Sequence, residues 1–308
     1  MSRATREAFG DALVELAREG VDVVAVEADL SKSTTTAKLA DAFPERFFNV
    51  GIAEQNMIDV AAGLAVSGKV AFTGSFAVFA TGRAYDQVRN TVCYSLLDVK
   101  IAPTHSGVTV GPDGGSHQMV EDIALMRVLP GMRVLVPADY NAAKAALRAA
   151  ALNPGPFYVR LGRVAAPEVY PQDFEFEVGR AYVLREGTDV TIAACGVEVS
   201  EALTAAEALA LEGISAEVID VATVKPLDVA TLVASVSKTG RIVTCEEHSV
   251  LGGMGSAVSE VLSEACPVPT RRVGVADVFG TSGEPAELME YFGLTSTHIV
   301  AAAKELLG

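Results

Sequence analysis

Three features are scarce in this 308-residue sequence: long apolar runs, cysteine and basic side chains. No stretch approaches about 18 uninterrupted apolar residues, and the N-terminus lacks the apolar core of a signal peptide, so we expect a cytoplasmic protein. With 24 Lys and Arg against 39 Asp and Glu, the net charge is -15, which argues against nucleic acids and anionic membranes as partners because both need a basic face. The cysteines are too widely spaced for a metal-ligand pair and too few for a disulfide framework, so we expect all four to be reduced and in or near the core: Cys93, Cys195, Cys245 and Cys266.

What the sequence does contain is a regular alternation of helical and strand patterns. Apolar spacing of helical period runs from Thr5 to Glu19, stops at Gly20, and is followed by an apolar strand at 21–26. Further helices are predicted at 53–67, 81–94, 122–128, 141–152, 199–211, 228–237, 255–265 and 297–307, and further strands at 47–50, 69–72, 99–102, 133–136, 157–160, 190–194, 216–221, 241–245 and 271–275. This alternation predicts an α/β protein with two doubly wound domains and mainly parallel sheets. A lapse in the pattern, with two prolines and several acids, places a linker at 166–178 between domains at 1–165 and 179–308.

Three polar segments of the first domain follow predicted strands, at 27–36, 51–56 and 104–118. Because ligands of open parallel sheets bind outside the carboxyl ends of the strands, we expect these segments to form one site. The second segment contains Glu54 at the start of an apolar helix, where an isolated negative charge would cost several kcal/mol. No Lys or Arg lies within a helical turn of Glu54, so its partner must come from elsewhere in the fold, from another chain or from a ligand.

The third segment holds His105 and His117 with Asp113 between them, in a glycine-rich context. Glycines allow close approach of the backbone to a ligand, and imidazoles beside a carboxylate are suited to proton transfer near neutral pH. A flexible loop with incidental histidines is the alternative interpretation, and the spacing does not match a compact zinc ligand set. Phe76 and Phe79 form a short aromatic pair, which alone is more typical of core packing than of ligand stacking.

Three motifs of the first domain carry a resemblance to a known family: GIAEQN around Glu54, GSFAVF from Gly74 to Phe79, and DGGSHQ from Asp113 to Gln118. Through these motifs, the first domain resembles the pyrimidine-binding half of transketolase and of deoxyxylulose-phosphate synthase. The second domain resembles the C-terminal domain of the same family, so the resemblance covers essentially the whole chain. The family's diphosphate-binding GDG…N motif is missing. The chain therefore resembles the C-terminal subunit of a split, two-gene transketolase.

This resemblance implies a role for each matching residue. Glu54 would bind the N1′ nitrogen of thiamine diphosphate, with Phe76, Phe79 and Ile52 as further cofactor contacts. His105 and His117 would be catalytic, and His105 would also contact the substrate. The remaining implied substrate contacts are Asp113 for hydroxyl groups, and Ser33 and Arg160 for the sugar phosphate. Two departures from the family pattern are Gly82, where a third aromatic is common, and Gln55, where His is common.

The implied function is transfer of a two-carbon ketol unit from a ketose phosphate to an aldose phosphate, as in the pentose phosphate pathway. A separate N-terminal subunit would hold the diphosphate and Mg²⁺, and this chain would homodimerise within an α2β2 heterotetramer and bind no metal itself. Two alternatives stay open: a subunit of another thiamine-diphosphate enzyme, either deoxyxylulose-phosphate synthase-like or 2-oxoacid dehydrogenase β-like, and a non-catalytic regulatory subunit.

Overall fold

The computed structural model describes residues 2–308 as three β-sheets covered by helices. The strands are β1 Arg3–Ala4, β2 Val23–Glu27, β3 Phe47–Asn49, β4 Val70–Gly74, β5 Val99–Ile101, β6 Arg133–Leu135, β7 Phe157–Val159, β8 Ala165–Ala166, β9 Tyr182–Arg185, β10 Val190–Ala194, β11 Ala216–Asp220, β12 Thr223–Lys225, β13 Ile242–Ser249 and β14 Thr270–Val275. The helices are α1 Thr5–Arg18, α2 Ser31–Thr34, α3 Ala37–Ala42, α4 Glu54–Val66, α5 Tyr85–Gln87, α6 Asp122–Arg127, α7 Tyr140–Leu152, α8 Glu198–Leu211, α9 Val229–Thr239, α10 Met254–Ala265, α11 Pro285–Tyr291 and α12 Ser296–Leu307. Within the described residues, no helix has the length and apolarity needed to cross a membrane.

The two large sheets are mainly parallel, which confirms the predicted fold class. The first has seven strands in the order β12-β6-β7-β5-β4-β2-β3, and the second has five in the order β14-β13-β10-β11-β9. Antiparallel pairing is confined to edge strands of these sheets, β12 on β6 and β9 on β11, and to the small β1–β8 pair. Parallel strands covered on both faces need continuous apolar sequence, and strands such as β2 and β10 are buried at every residue.

The faces of the first sheet are covered by different helices. On one face, α1 and α7 bury Phe9, Leu13 and Leu147 against the sheet. On the other, α4 contributes Met57 and Ile58 to a core that continues into the second domain. Each such side chain stabilises the fold by about 1.5–3 kcal/mol through removal of apolar area from water.

The helix boundaries have local causes. Gly20 follows α1 with φ of 88°, a left-handed conformation that ends the helix at little cost for glycine. At the start of α7, the Asp139 side chain accepts a hydrogen bond from the Ala142 N–H at 2.7 Å. The prediction of helix at 81–94 was only partly right, because this stretch contains two π-helical segments, Val78–Arg83 and Val88–Cys93, with α5 between them.

The two domains are joined by strand pairing and side-chain contacts that the sequence did not predict. Strand β12 belongs to the second half of the chain but pairs with β6 in the first sheet. The predicted linker is also well packed, because Tyr170 is buried and its hydroxyl donates to Asp220 at 2.7 Å. The first domain is thus fixed to the second by backbone pairing as well as by side-chain contacts.

Candidate functional site

The predicted site residues of the first domain converge at one edge of the seven-stranded sheet. Glu54 begins α4 just after β3, Phe76 and Phe79 follow β4, and His105 follows β5. These strands are neighbours through β2, and the loops after β4 and β5 continue to pair, with the Ala77 N–H donating to the Thr104 carbonyl at 2.8 Å. The carboxyl ends of adjacent parallel strands therefore bring these side chains together, as expected.

Four aromatic rings form a continuous wall. The His105 ring stacks on Phe76 with centroids 3.8 Å apart and planes inclined by 23°. Phe79 stacks alongside Phe76 at 6.1 Å, and the His117 ring meets Phe79 edge-on at 5.5 Å. Phe76 and Phe79 are thus not isolated core residues but connect the two histidines, which favours a ligand-facing role for the wall.

Glu54 is buried, with 2% of its surface exposed. Its Oε1 accepts a hydrogen bond from Arg83 Nη1 at 2.8 Å, and the same guanidinium lies 4.5 Å from the centroid of the Phe79 ring. Its Oε2 is buried and has no hydrogen-bond partner within residues 2–308. A buried polar atom without a partner costs about 1–3 kcal/mol, so the second oxygen is available for a donor that the described residues do not supply. Ile52, the other predicted cofactor contact next to Glu54, is not buried, since 77% of its surface is exposed.

Arg83 is a site residue that sequence reasoning missed. It lies 29 residues after Glu54, and half of its side chain is exposed. No sequence signal marks this pair, because the contact depends on how the π-helical segment Val78–Arg83 turns toward α4.

His105 is held as a neutral imidazole. Burial is the main cause that lowers its pKa to about 3, and the charges of Arg6 and Arg163 lower it further. Its Nδ1 lies 2.7 Å from Thr104 Oγ1. At pH 7 the His105 imidazole is therefore neutral and can donate or accept hydrogen bonds, whereas the sequence suggested a group that takes up protons near neutrality.

This lowered pKa predicts an acid-sensitive contribution to stability. The unfolded imidazole binds a proton below about pH 6.5, whereas the folded one resists protonation until about pH 3, so stability is lost as pH falls through this interval. We expect His105→Asn, whose side chain suits the left-handed backbone at this position, to lose less stability between pH 7 and pH 4.5 than the parent chain. Urea unfolding at both pH values measures the difference; an equal loss in both proteins would contradict the neutral, buried imidazole.

The other two predicted site residues of the glycine-rich segment, His117 and Asp113, are more accessible than His105. His117 is half-buried, and its Nδ1 lies 3.0 Å from Ser116 Oγ. Asp113 is exposed at the end of the 3-10 helix Val108–Asp113, four residues before His117. Both positions allow contact with a molecule that enters from solvent, but the structure places only His117 on the aromatic wall.

Two further arginines, missed by sequence reasoning, lie close to His105. Arg6 donates from Nη1 to the Ser33 carbonyl at 2.9 Å, and its buried Nε has no partner among the residues described. Arg6 and Arg163 both line an open cleft of about 460 Å³, and both act electrostatically on His105. Glu27 supports this region, because its buried carboxylate accepts hydrogen bonds within the segment that carries Ser33. The two guanidinium groups can bind an anion in this cleft, which Glu284 also lines.

Arg160 does not lie in this cleft. It is 6% exposed, and its guanidinium binds the buried Asp122 carboxylate, with Nε to Oδ2 at 2.8 Å. Its Nη2 also donates to the carbonyls of Met119 and Glu247. This placement counts against the predicted contact of Arg160 with a sugar phosphate, because the guanidinium is engaged inside the protein.

Comparison with known proteins identifies the family of this chain. Family models match residues 1–168 as the transketolase pyrimidine-binding domain and residues 179–299 as the transketolase C-terminal domain. The chain is 47% identical over 306 residues to a protein of Methanocaldococcus jannaschii described as a transketolase C-terminal section, covering 98% of this chain and 96% of that protein. It is also 47% identical over 301 residues to a 6-deoxy-6-sulfo-D-fructose transketolase subunit from a Clostridium species, covering 98% and 94% of the two chains. A solved structure described as a split gene transketolase in an inactive β4 tetramer superposes with a TM-score of 0.92 at 54% identity, covering 100% of this chain and 99% of that one.

The chain belongs to the transketolase family of thiamine-diphosphate enzymes. Within that family it corresponds to the C-terminal section of the split transketolases, which it matches over nearly their full length. The residues present fit the pyrimidine end of the cofactor, because a buried carboxylate oxygen without a partner lies beside an aromatic wall.

Proposed function

We propose that this chain is the C-terminal subunit of a thiamine-diphosphate-dependent transketolase. It would transfer a two-carbon ketol unit from a ketose phosphate to an aldose phosphate, and only together with a separate N-terminal subunit. The observation that carries this proposal is the unpartnered, buried Oε2 of Glu54 beside the Phe76–Phe79 pair. A carboxyl group there can hold a proton against a ring nitrogen, and the two phenyl rings can orient the ring.

Thiamine diphosphate, when bound, supplies the electron sink for breaking the carbon–carbon bond beside a ketose carbonyl. This chain contributes positioning and proton placement. Glu54 Oε2 would share a proton with a ring nitrogen of the cofactor at the edge of the site, and Phe76 and Phe79 exclude water from one side of the site. Neutral His105 and the half-buried His117 offer hydrogen bonds to substrate oxygens. Asp113 can reach hydroxyl groups farther out, in keeping with its exposure.

The anionic end of the substrate fits the cleft of Arg6 and Arg163, next to Ser33. This proposal replaces Arg160 with two arginines that face the cleft. The proposal does not specify the sugar, because similar proteins are named for different ones. One is named for a sulfonated fructose and another, 41% identical, for apulose 4-phosphate. A guanidinium pair binds phosphate and sulfonate alike, so the arginines select an anionic ketose without choosing between them.

We expect Arg6→Met and Arg163→Met each to raise the KM for a phosphorylated ketose about 10- to 100-fold, because each removes a charge-assisted hydrogen bond of about 1.5–3 kcal/mol. Steady-state kinetics of the reconstituted enzyme with a ketose phosphate provides the measurement. A non-phosphorylated ketose serves as the control, since its KM should change little. An equal rise for both sugars would contradict the assignment of the anion site.

The proposed partner subunit rests on the similarity of this chain to split transketolases. The diphosphate and Mg²⁺ need ligands that the missing GDG…N motif would supply, and we assign them to the N-terminal subunit. The similar solved structure, described as an inactive tetramer of β chains alone, supports this division of the active site. The α2β2 heterotetramer with a dimer of this chain remains part of the proposal.

Reconstitution tests the function. The purified chain alone should bind thiamine diphosphate weakly and transfer no ketol units, whereas addition of the N-terminal subunit with Mg²⁺ should produce both properties. Ketol transfer by the isolated chain would contradict the proposal. Turnover of pyruvate instead of a ketose phosphate by the complex would favour the deoxyxylulose-phosphate synthase-like or 2-oxoacid dehydrogenase-like alternative.

A further inference from the structure

The segment 104–118 carries both histidines of the site, and one side of it packs against the second domain. Gln118 Nε2 donates to the Thr281 carbonyl at 2.8 Å. Gly115 lies so close to the backbone of Gly280 that a Cβ at Gly115 would overlap the Gly280 carbonyl. The second domain therefore packs against the segment 104–118, which we call the catalytic loop.

Glu247, near the end of β13, makes the most direct of these contacts. It is 3% exposed, and its Oε1 accepts a hydrogen bond from the Thr109 N–H at 2.6 Å. Its carboxylate also lies against Gly107, where φ is 78° and any Cβ would overlap the carboxylate. Gly107 is required here for two reasons: its left-handed conformation and the space that the Glu247 side chain occupies.

The backbone of Glu247 is itself fixed. Its carbonyl accepts a hydrogen bond from Arg160 Nη2 at 2.9 Å, and Arg160 is held by its ion pair with Asp122. Arg160 follows β7 of the first sheet, while Glu247 belongs to the second sheet. The side chain that touches the catalytic loop is therefore anchored from both domains.

His105 needs such support, because it adopts a left-handed backbone conformation with φ of 61°. For a residue other than glycine this conformation is strained, and it persists only where the surrounding structure enforces it. Gly107 and Thr109, the two residues that Glu247 touches, lie two and four positions after His105.

We propose that Glu247 is a positioning residue that holds the loop of His105 and His117 in its catalytic arrangement from the second domain. The proposal rests on the proposed function for its kinetic consequence and on the hydrogen bond to Thr109 for its structural one. It assigns to the second domain a role in catalysis without contact with substrate or cofactor.

Glu246 supplies a matched control. It is also buried, at 1% exposure, and it neighbours Glu247 on the same strand. Its carboxylate instead accepts from the N–H groups of Met254 and Gly255 at the start of α10, at 2.6 and 2.8 Å. Glu246→Ala should therefore destabilise the second domain without releasing the catalytic loop.

Hydrogen–deuterium exchange of the full chain tests the structural part. We expect Glu247→Ala to speed exchange of the amides in 104–118 roughly tenfold, because a buried hydrogen bond to the loop is lost. Glu246→Ala should leave these amides protected and increase exchange at the start of α10. Equal protection of 104–118 in the parent chain and in Glu247→Ala would overturn the proposal.

Kinetics of the reconstituted enzyme tests the catalytic part. Displacement of the histidines should lower kcat roughly 10- to 100-fold, while the affinity for thiamine diphosphate changes little, because Glu54 and Phe79 lie on other segments. A loss of cofactor affinity with unchanged kcat would overturn the proposal. An inactive parent complex would refute the proposed function, and the exchange experiment would still decide the role of Glu247.

Two conservative variants distinguish the effect of side-chain length from the effect of charge. They also keep the test valid if the alanine variant unfolds. Glu247→Gln keeps an acceptor oxygen at the right distance, whereas Glu247→Asp keeps the charge but is shorter by one methylene group. We expect Glu247→Gln to retain most of the loop protection and of kcat, and Glu247→Asp to lose both. The reverse order would show that charge, and not the hydrogen bond to Thr109, is what matters, and would overturn the proposal.

Discussion

Glu54→Gln is expected to lower the rate of ketol transfer by the reconstituted enzyme about 10²- to 10⁴-fold, the range typical for loss of a positioned proton-transfer group. The amide can still accept the hydrogen bond from Arg83, which now ends on Oε1 at 2.8 Å. It cannot hold an acidic proton at the second position, where Oε2 has no partner in the part of the chain described. The substitution thus removes the proposed chemistry and leaves the packing of α4 intact.

Single-turnover and steady-state kinetics of the complex measure this effect, with gel filtration to show that the subunits still assemble. Glu264→Gln provides the control, because it removes one carboxylate from an exposed position in the second domain and should leave activity unchanged. If Glu54→Gln retained activity within about twofold, a threshold well below the general acid–base range, the catalytic assignment of Glu54 would be wrong.

Arg160→Met is expected to lower the free energy of unfolding by about 3–5 kcal/mol, because it leaves a buried carboxylate without its counter-charge. Asp122 is fully buried, and although burial alone would raise its pKa, the Arg160 guanidinium is the main group that holds that pKa below its usual value. Removal of the guanidinium also frees the carbonyls of Met119 and Glu247 from their hydrogen bonds. A residue that only bound a sugar phosphate would show no such loss in the absence of substrate.

Urea unfolding of the isolated chain at pH 7 gives the measurement. Arg148→Met is the matched control, since Arg148 pairs with Glu19 at the surface, where both side chains are about half exposed, and should cost about 1 kcal/mol or less. The double variant Arg160→Met/Asp122→Leu should recover part of the stability, because no uncompensated charge remains. If Arg160→Met were as stable as Arg148→Met, the buried ion pair would not have the structural importance described.

The sequence predicted the elements whose apolar pattern is long and regular. Strand 190–194 has the predicted bounds, and the helix predicted at 199–211 begins one residue earlier in the structure. The short helix at 31–34 was missed because its Ser and Thr residues favour turns. The helix at 37–42 was missed because six residues are too few to show a helical period. Strand β12 was missed because pairing with a distant sheet leaves no local signal.

The sequence motifs predicted which residues of the first domain come together in the candidate site, but not which arginines accompany them. Glu54, Phe76, Phe79, His105 and His117 come together because they follow neighbouring strands, which the α/β pattern implies. The placement of Arg160 counts against its predicted role for a physical reason. Arg160 and Arg163 follow the same strand, and only the fold decides which of them is buried against Asp122 and which faces the cleft. The partner of Glu54 was equally hidden, since it depends on a tertiary contact with Arg83.

Strand β12 has a consequence for any attempt to exchange the two halves of this protein between relatives. Residues 223–225 supply the outermost hydrogen bonds of the sheet that holds the catalytic groups, and Lys225 Nζ donates to the carbonyls of Arg127 and Leu129. A hybrid that takes its second half from another protein must reproduce this edge pairing, or β6 becomes an open template for aggregation. We therefore expect chimaeras that join the first half of this chain to the second half of a relative to be soluble only where the pairing of β12 with β6 is retained.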